Sequence, residues 1–211
     1  MNQIFRMFFI IMVAVLLVFC SSLKAKKSLE DLRTAFNSES TSAEKYAKFG
    51  QAAMNEGYDT LAQLFIAVSK SERIHAMNFG KVIEKFGLDC GTPEIGNFEV
   101  KSTIENLRAG IRTETFEMQT VYPSFIRTAE REKTAEIART FTWASNCEKK
   151  HLKFFRNAAI IIDRGSEKGI PNVWLVCSIC GNIYSSIDLP VKCEYCLTKQ
   201  ENFIGYSRKS E

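Results

Sequence analysis

The second half of this chain repeats the first at an offset of 76 residues. Tyr46, Phe49, Ala53, Glu56, Ala62, Phe65, Ser69, Glu72, His75 and Phe79 have identical partners in Tyr122, Phe125, Ala129, Glu132, Ala138, Phe141, Ser145, Glu148, His151 and Phe155. Chance similarity between amphipathic helices would match the apolar positions. It would not keep Tyr, Glu and His in the same frame. Leu61, Leu64, Phe65, Val68, His75, Phe79 and Val82 fall at helical spacing. The repeat therefore predicts two helix pairs related by a pseudo-two-fold axis.

Four helices are expected, over about residues 28–55, 58–86, 102–130 and 133–162. Ser28 is read as the first N-cap, with Asp31 placing a carboxylate in the first turn. Gly87 ends the second helix. Residues 88–100 hold Gly91, Pro93 and Gly96 and read as a long crossover between the halves of a bundle. Pro123 should bend the third helix or cost it a hydrogen bond.

The chain has two histidines, and each follows a glutamate by three residues, in Glu72-x-x-His75 and Glu148-x-x-His151. Residues at i and i+3 project from one helix face. Each pair thus aims a carboxylate and an imidazole at a shared point. Glu39 on the first helix, and Glu114 and Glu117 on the third, supply the rest. Two helices giving glutamates and two giving Glu-x-x-His make the ligand set of di-iron carboxylate bundles. Mixed oxygen and imidazole donors suit iron or manganese better than thiolate-seeking metals. Without a metal, several buried carboxylates could not all stay ionised. Tyr46 lies seven residues after Glu39, and Tyr122 eight after Glu114. Both could place a phenol near the metals as a hydrogen-bond donor, though buried tyrosines also pack in ordinary bundles.

Seven cysteines occur, four of them clustered. Cys177-x-x-Cys180 and Cys193-x-x-Cys196 form two knuckles whose thiolates suit a tetrahedral zinc or iron. Gly181 permits the tight turn behind the second sulfur. A polar linker, residues 166–171, leads to this tail, which reads as a small β-poor domain over 172–211. Its core is too small to fold without a metal. Cys90 and Cys147 are read as small packing residues.

At the other end, Arg6 precedes an uncharged apolar run and a short polar stretch. Residues 1–25 read as a secretory leader or, uncleaved, a membrane anchor. Export to a periplasmic or membrane-anchored location is the expectation, and the cytoplasm is the alternative. The net charge of +4 is too mild to argue for nucleic acid.

From about Leu29 onward, the chain resembles a rubrerythrin. The supporting motifs are Asn37-Ser38-Glu39-Ser40, Glu72-x-x-His75, Glu114-x-x-Glu117 followed by Tyr122-Pro123, Glu148-x-x-His151 and the two knuckles. The resemblance implies a mainly α chain: a ferritin-like four-helix bundle with a long crossover over 28–164, then a rubredoxin-like metal-knuckle domain. It implies two irons bridged by Glu72 and Glu148, with Glu39, Glu114, Glu117 and His151 as terminal ligands. One iron would exchange Glu117 for His75 on reduction, with Tyr46 and Tyr122 close by. A third iron, or zinc in its place, would sit on Cys177, Cys180, Cys193 and Cys196. The implied activity is reduction of hydrogen peroxide to water, fed by an electron-donor protein, in defence against oxidative stress. An iron-binding redox sensor or a ferroxidase and iron store is the alternative. Members are commonly dimers in which one subunit's tail serves the other's di-iron site. One departure is Cys193-Glu194-Tyr195-Cys196, where the family often has proline after the cysteine. Another is the apparent leader, unusual in a family most often cytoplasmic.

Overall fold

The computed structural model describes residue 7 and residues 25–207. The leader read over 1–25 lies outside them, apart from residues 7 and 25. Among the described residues, no helix is long and apolar enough to cross a membrane.

Four helical rods form the bundle expected from the repeat. They are α1 (Lys26–Asn55), α2 (Asp59–Lys85), a third rod built of α3 (Thr103–Phe116) and α4 (Tyr122–Arg131), and α5 (Ala135–Ile162). Residues 88–100 form the crossover and carry no regular structure. The fold is mainly helical and ferritin-like, and a small metal-knuckle tail follows it.

The repeat shows most clearly in the aromatic packing. Tyr46, Phe49, Phe65 and Phe155 form one cluster, with the Phe65 and Phe155 rings 5.4 Å apart. Their repeat partners Tyr122, Phe125, Phe141 and Phe79 form a second, with the Phe79 and Phe141 rings also 5.4 Å apart. Each quartet draws on three rods, so each pins α2 and α5 against a different third partner. Buried aromatic pairs in such tilted and edge-on contacts add about 0.5–1.5 kcal/mol each beyond their area.

Three features depart from the sequence reading. First, α1 begins at Lys26, and Ser28 lies inside its first turn rather than at the cap. The orphan amides are capped from across the bundle. Glu132 accepts from the Lys27 N–H at 3.2 Å and the Ser28 N–H at 2.9 Å, and from the Ser28 hydroxyl at 2.6 Å. Its repeat partner Glu56 does the same for α3, accepting from the Thr103 N–H at 3.1 Å. Each half of the bundle thus caps the other. Loss of a helix cap costs about 0.5–2 kcal/mol. Glu132→Ala should therefore lower unfolding free energy by about that amount in a chemical denaturation, with Glu132→Gln closer to the parent.

Second, the third rod is not one bent α-helix. A π turn, Glu117–Val121, sits between α3 and α4, and the Tyr122 N–H reaches back five residues to the Glu117 carbonyl. Pro123 falls just after it, in the first turn of α4, where a missing N–H costs nothing. The π turn, not the proline, marks this stretch. It absorbs one extra residue: Tyr122 follows Glu114 by eight where Tyr46 follows Glu39 by seven.

Third, the tail is not β-poor. Strands β1 (Val173–Cys177), β2 (Ile183–Ser185) and β3 (Phe203–Ser207) form an antiparallel sheet in the order β2-β1-β3. The sheet leans on the bundle of its own chain. Trp174, Val176 and Ile183 are buried in one continuous core with Leu64, Phe65 and Phe155. The Trp174 ring meets Phe154 edge-on at 4.7 Å. The linker is pinned as well, because Glu167 caps α2 through the Leu61 N–H at 2.7 Å. A tail with too little core of its own has borrowed the bundle's.

Candidate metal centre

Between the two aromatic quartets, the four rods point seven ligand-type side chains into the bundle. Glu39 comes from α1, Glu72 and His75 from α2, Glu114 from α3, Glu117 from the π turn, and Glu148 and His151 from α5. All seven are buried. The i, i+3 spacing on α2 and α5 works as expected, placing each imidazole beside its own glutamate.

Six of the seven sort into two sets of four. Glu39, Glu72, His75 and Glu148 form one set, and Glu72, Glu114, Glu148 and His151 the other. In each, the donor atoms lie within 4.8 Å of one another. Glu72 and Glu148 belong to both. Glu148 offers one oxygen 3.2 Å from His75 Nδ1 and the other 2.8 Å from His151 Nδ1. Glu72 does the reverse, at 3.0 Å and 3.4 Å. Glu39 closes the first set 3.9 Å from His75, and Glu114 the second 3.3 Å from His151. Glu117 stands apart from both, its Oε1 3.4 Å from the Ser38 hydroxyl and its Oε2 without a partner among the described residues.

Tyr122 donates its phenolic proton to Glu39, and Tyr46 to Glu114. Glu39 and Glu114 are thus each held by a tyrosine from another rod. Burial, reinforced by the surrounding carboxylates, keeps both phenols neutral and hence donors.

The pocket balances its charge by taking protons. Burial pushes the Glu39, Glu114 and Glu117 carboxyls well above the usual carboxylate range. Burial also opposes ionisation of Glu72 and Glu148, but the histidines outweigh it and hold both below that range. Burial disfavours charge on His75 and His151, yet the carboxylates around them shift both above the usual imidazole range. One oxygen each of Glu39, Glu72, Glu114, Glu117 and Glu148 makes no hydrogen bond among the described residues. Buried acceptors are rarely left so, and a cluster of them facing one another suits cations. Four carboxylates and two imidazoles in two sets with two shared members, with Glu117 buried beside them, fit a pair of divalent ions.

In the tail, the four sulfurs of Cys177, Cys180, Cys193 and Cys196 converge as a second metal-type cluster. Cys177 and Cys196 sulfurs lie 3.4 Å apart, as do those of Cys180 and Cys193. Gly181 turns the first knuckle with φ of 82° and lies against the bundle pocket. A Cβ there would come within 2.7 Å of His75 Nε2. The two metal clusters of one chain are therefore neighbours. The sequence singles out Gly181 and His75 separately, but nothing in their spacing shows this contact.

Comparison with known proteins agrees with this arrangement. The Rubrerythrin family model matches residues 30–159. The chain is 30% identical to rubrerythrin-2 of Clostridium acetobutylicum over 186 residues, which is 88% of this chain and all of that protein. It is 32% identical to a rubrerythrin of Porphyromonas gingivalis, covering 86% of this chain and 91% of the other. The solved structure of fully reduced, all-ferrous nigerythrin superposes with a TM-score of 0.76 at 29% identity, covering 85% of this chain and 86% of that one. A bundle with two shared carboxylates, a four-cysteine tail behind it and relatives matched over nearly their whole length lead to one conclusion: the chain belongs to the rubrerythrin family.

Proposed function

We propose that this protein reduces hydrogen peroxide to water at a di-iron site, using electrons relayed through iron on its four cysteines. The observation that carries this reading is the pairing of two four-residue ligand sets that share Glu72 and Glu148. Two ions held that close can act on one small substrate together. Iron bound there supplies the two electrons that cleavage of the O–O bond requires.

The chain's own residues do the rest. Glu72 and Glu148 would be shared by the two ions, Glu39 and Glu114 would each hold one of them, and His151 would complete the second set. Tyr46 and Tyr122 hold the terminal carboxylates in place through hydrogen bonds, so the pocket keeps its shape as its charge changes. His75 and Glu117 are alternatives at one position. A neutral imidazole suits the reduced pair and a carboxylate the oxidised one, because the exchange offsets the change in metal charge. The buried aromatic quartets keep bulk water from the pocket.

The four-cysteine centre carries iron in this reading, since zinc could not pass an electron. A protein donor outside the chain refills it, and two copies of the chain form the working unit. The test is anaerobic stopped-flow mixing of reduced, iron-loaded protein with peroxide. The ferrous pair should oxidise within about a second, as for ordinary enzyme turnover. Ferrous centres that persist for minutes overturn the reading.

A further inference from the structure

Ser71 and Cys147 immediately precede the two Glu-x-x-His glutamates, and they are partners in the 76-residue repeat without being identical. Both are completely buried. Both reach the first cysteine knuckle. The Ser71 hydroxyl donates to the Gly181 carbonyl at 2.6 Å. The Cys147 thiol donates to the Cys180 carbonyl at 3.5 Å, within reach for sulfur. Equivalent positions of the two half-bundles thus grip consecutive carbonyls of the tail.

Ser71 does more than grip. Its Oγ also lies 2.9 Å from His151 Nε2. A hydroxyl has one proton, and here it goes to Gly181, so Ser71 must accept from His151. In the metal-loaded site that would hold the proton of a neutral His151 on Nε2 and free Nδ1 for an ion among Glu72, Glu114 and Glu148. A connected path results: His151 ring, Ser71 hydroxyl, Gly181 carbonyl, then the backbone to Cys180. His75, the other imidazole, has no such link. Its Nε2 lies against Gly181 but finds no hydrogen-bond partner among the described residues.

We propose that Ser71 is a positioning residue that couples the four-cysteine centre to the metal pocket through His151, with Cys147 as the second clamp of the docked knuckle. The proposal rests on the peroxidase reading above. The step it serves is a single electron transfer. Ferrous iron on the four cysteines becomes ferric, one ferric ion of the pair becomes ferrous, and no bond or proton is exchanged.

The test uses the full iron-loaded chain with Ser71→Ala and Ser71→Thr. All-ferrous protein is mixed with one equivalent of peroxide. A first phase, oxidation of the pair, needs no electron from the tail. A second phase is the growth of visible thiolate-to-iron absorption as the four-cysteine iron turns ferric. Relative to the first phase, the second should slow about 10-fold to 100-fold in S71A, as loss of a ligand's supporting hydrogen bond does elsewhere. It should largely recover in S71T, which keeps the hydroxyl. In zinc-loaded protein, NMR should find the His151 Nε2 proton slow to exchange with solvent in the parent and in S71T, and fast in S71A. An unslowed second phase in S71A overturns the proposal. So does a slowed one in which S71T fails to recover and His151 exchange is unmoved. If the parent shows no first phase, the peroxidase reading fails instead. The same electron step is then followed after oxidising the pair with dioxygen, and the S71A comparison decides as before.

Discussion

Replacing Glu148 with alanine should empty both halves of the bundle site in one step. Glu148 belongs to both four-residue sets, with one oxygen toward each histidine. Loss of a terminal ligand such as Glu39 would leave the other set intact. Loss of Glu148 leaves each set with three donors and takes a charge from both. Removing a residue that merely supports a ligand costs about 10-fold to 100-fold in metal affinity. Removing a shared ligand should exceed the upper end of that range for both ions. Glu148→Ala protein, isolated anaerobically, should therefore hold close to no metal in the bundle and lose peroxide turnover by at least about 100-fold. Its four-cysteine centre lies in another part of the chain, so that visible spectrum should persist. Retained bundle metal in this variant would show that Glu148 does not bridge.

Cys180→Ser should produce the complementary phenotype. Cys180 supplies one of four converging sulfurs and the carbonyl that Cys147 grips. The tail's own buried cluster is small: Cys177, Cys180, Cys193 and Tyr184. Without its metal, that cluster lacks the apolar area to hold a three-stranded sheet. The tail should then leave the bundle and expose Trp174, Val176 and Ile183. Each fully buried side chain of that size is worth roughly 1.5–3 kcal/mol. The variant should lose the thiolate-to-iron absorption, red-shift its tryptophan fluorescence and melt at lower temperature. Its bundle should still bind two metals. Multiple turnover with an external donor should fall at least about 100-fold, as expected when an electron-relay step is removed outright. A single oxidation of chemically pre-reduced protein by peroxide should survive. Should steady turnover persist, the tail does not lie on the electron path.

The bundle and its ligands were legible because they are written in local spacing. A glutamate three residues before a histidine puts both on one face, and the repeat at 76 places a second pair opposite the first. What was not legible depends on distant partners. The start of α1 is set by Glu132, 105 residues from the amide it caps, so no local signal at Ser28 could reveal it. The repeat did flag Glu56 and Glu132 as matched carboxylates; their reciprocal capping explains why both are there. The π turn left a trace in the one-residue difference between the Glu39–Tyr46 and Glu114–Tyr122 spacings. The tail sheet escaped because its strands are three to five residues long and its core belongs partly to the bundle. Ser71 and Cys147 escaped because the repeat conserves their position and task rather than their identity.

The resemblance leads one to expect the tail of one subunit to serve the site of another. Here the knuckle lies against the pocket of its own chain, held at Ser71, Cys147 and Asn78, which donates to the Ile179 carbonyl at 2.7 Å. Lys150 adds an ion pair to Glu194 and sits 4.0 Å over the Tyr184 ring. The same surfaces could meet in exchanged form between two copies, since swapping an element keeps its contacts.

Four separate rods build one pocket suited to two metal ions. Metal content of anaerobically purified protein, measured for the parent and for Glu148→Ala, tests it directly. The parent chain should hold three metals, with the two outside the four-cysteine centre lost together in the variant. A parent chain that binds metal only at its cysteines would contradict it.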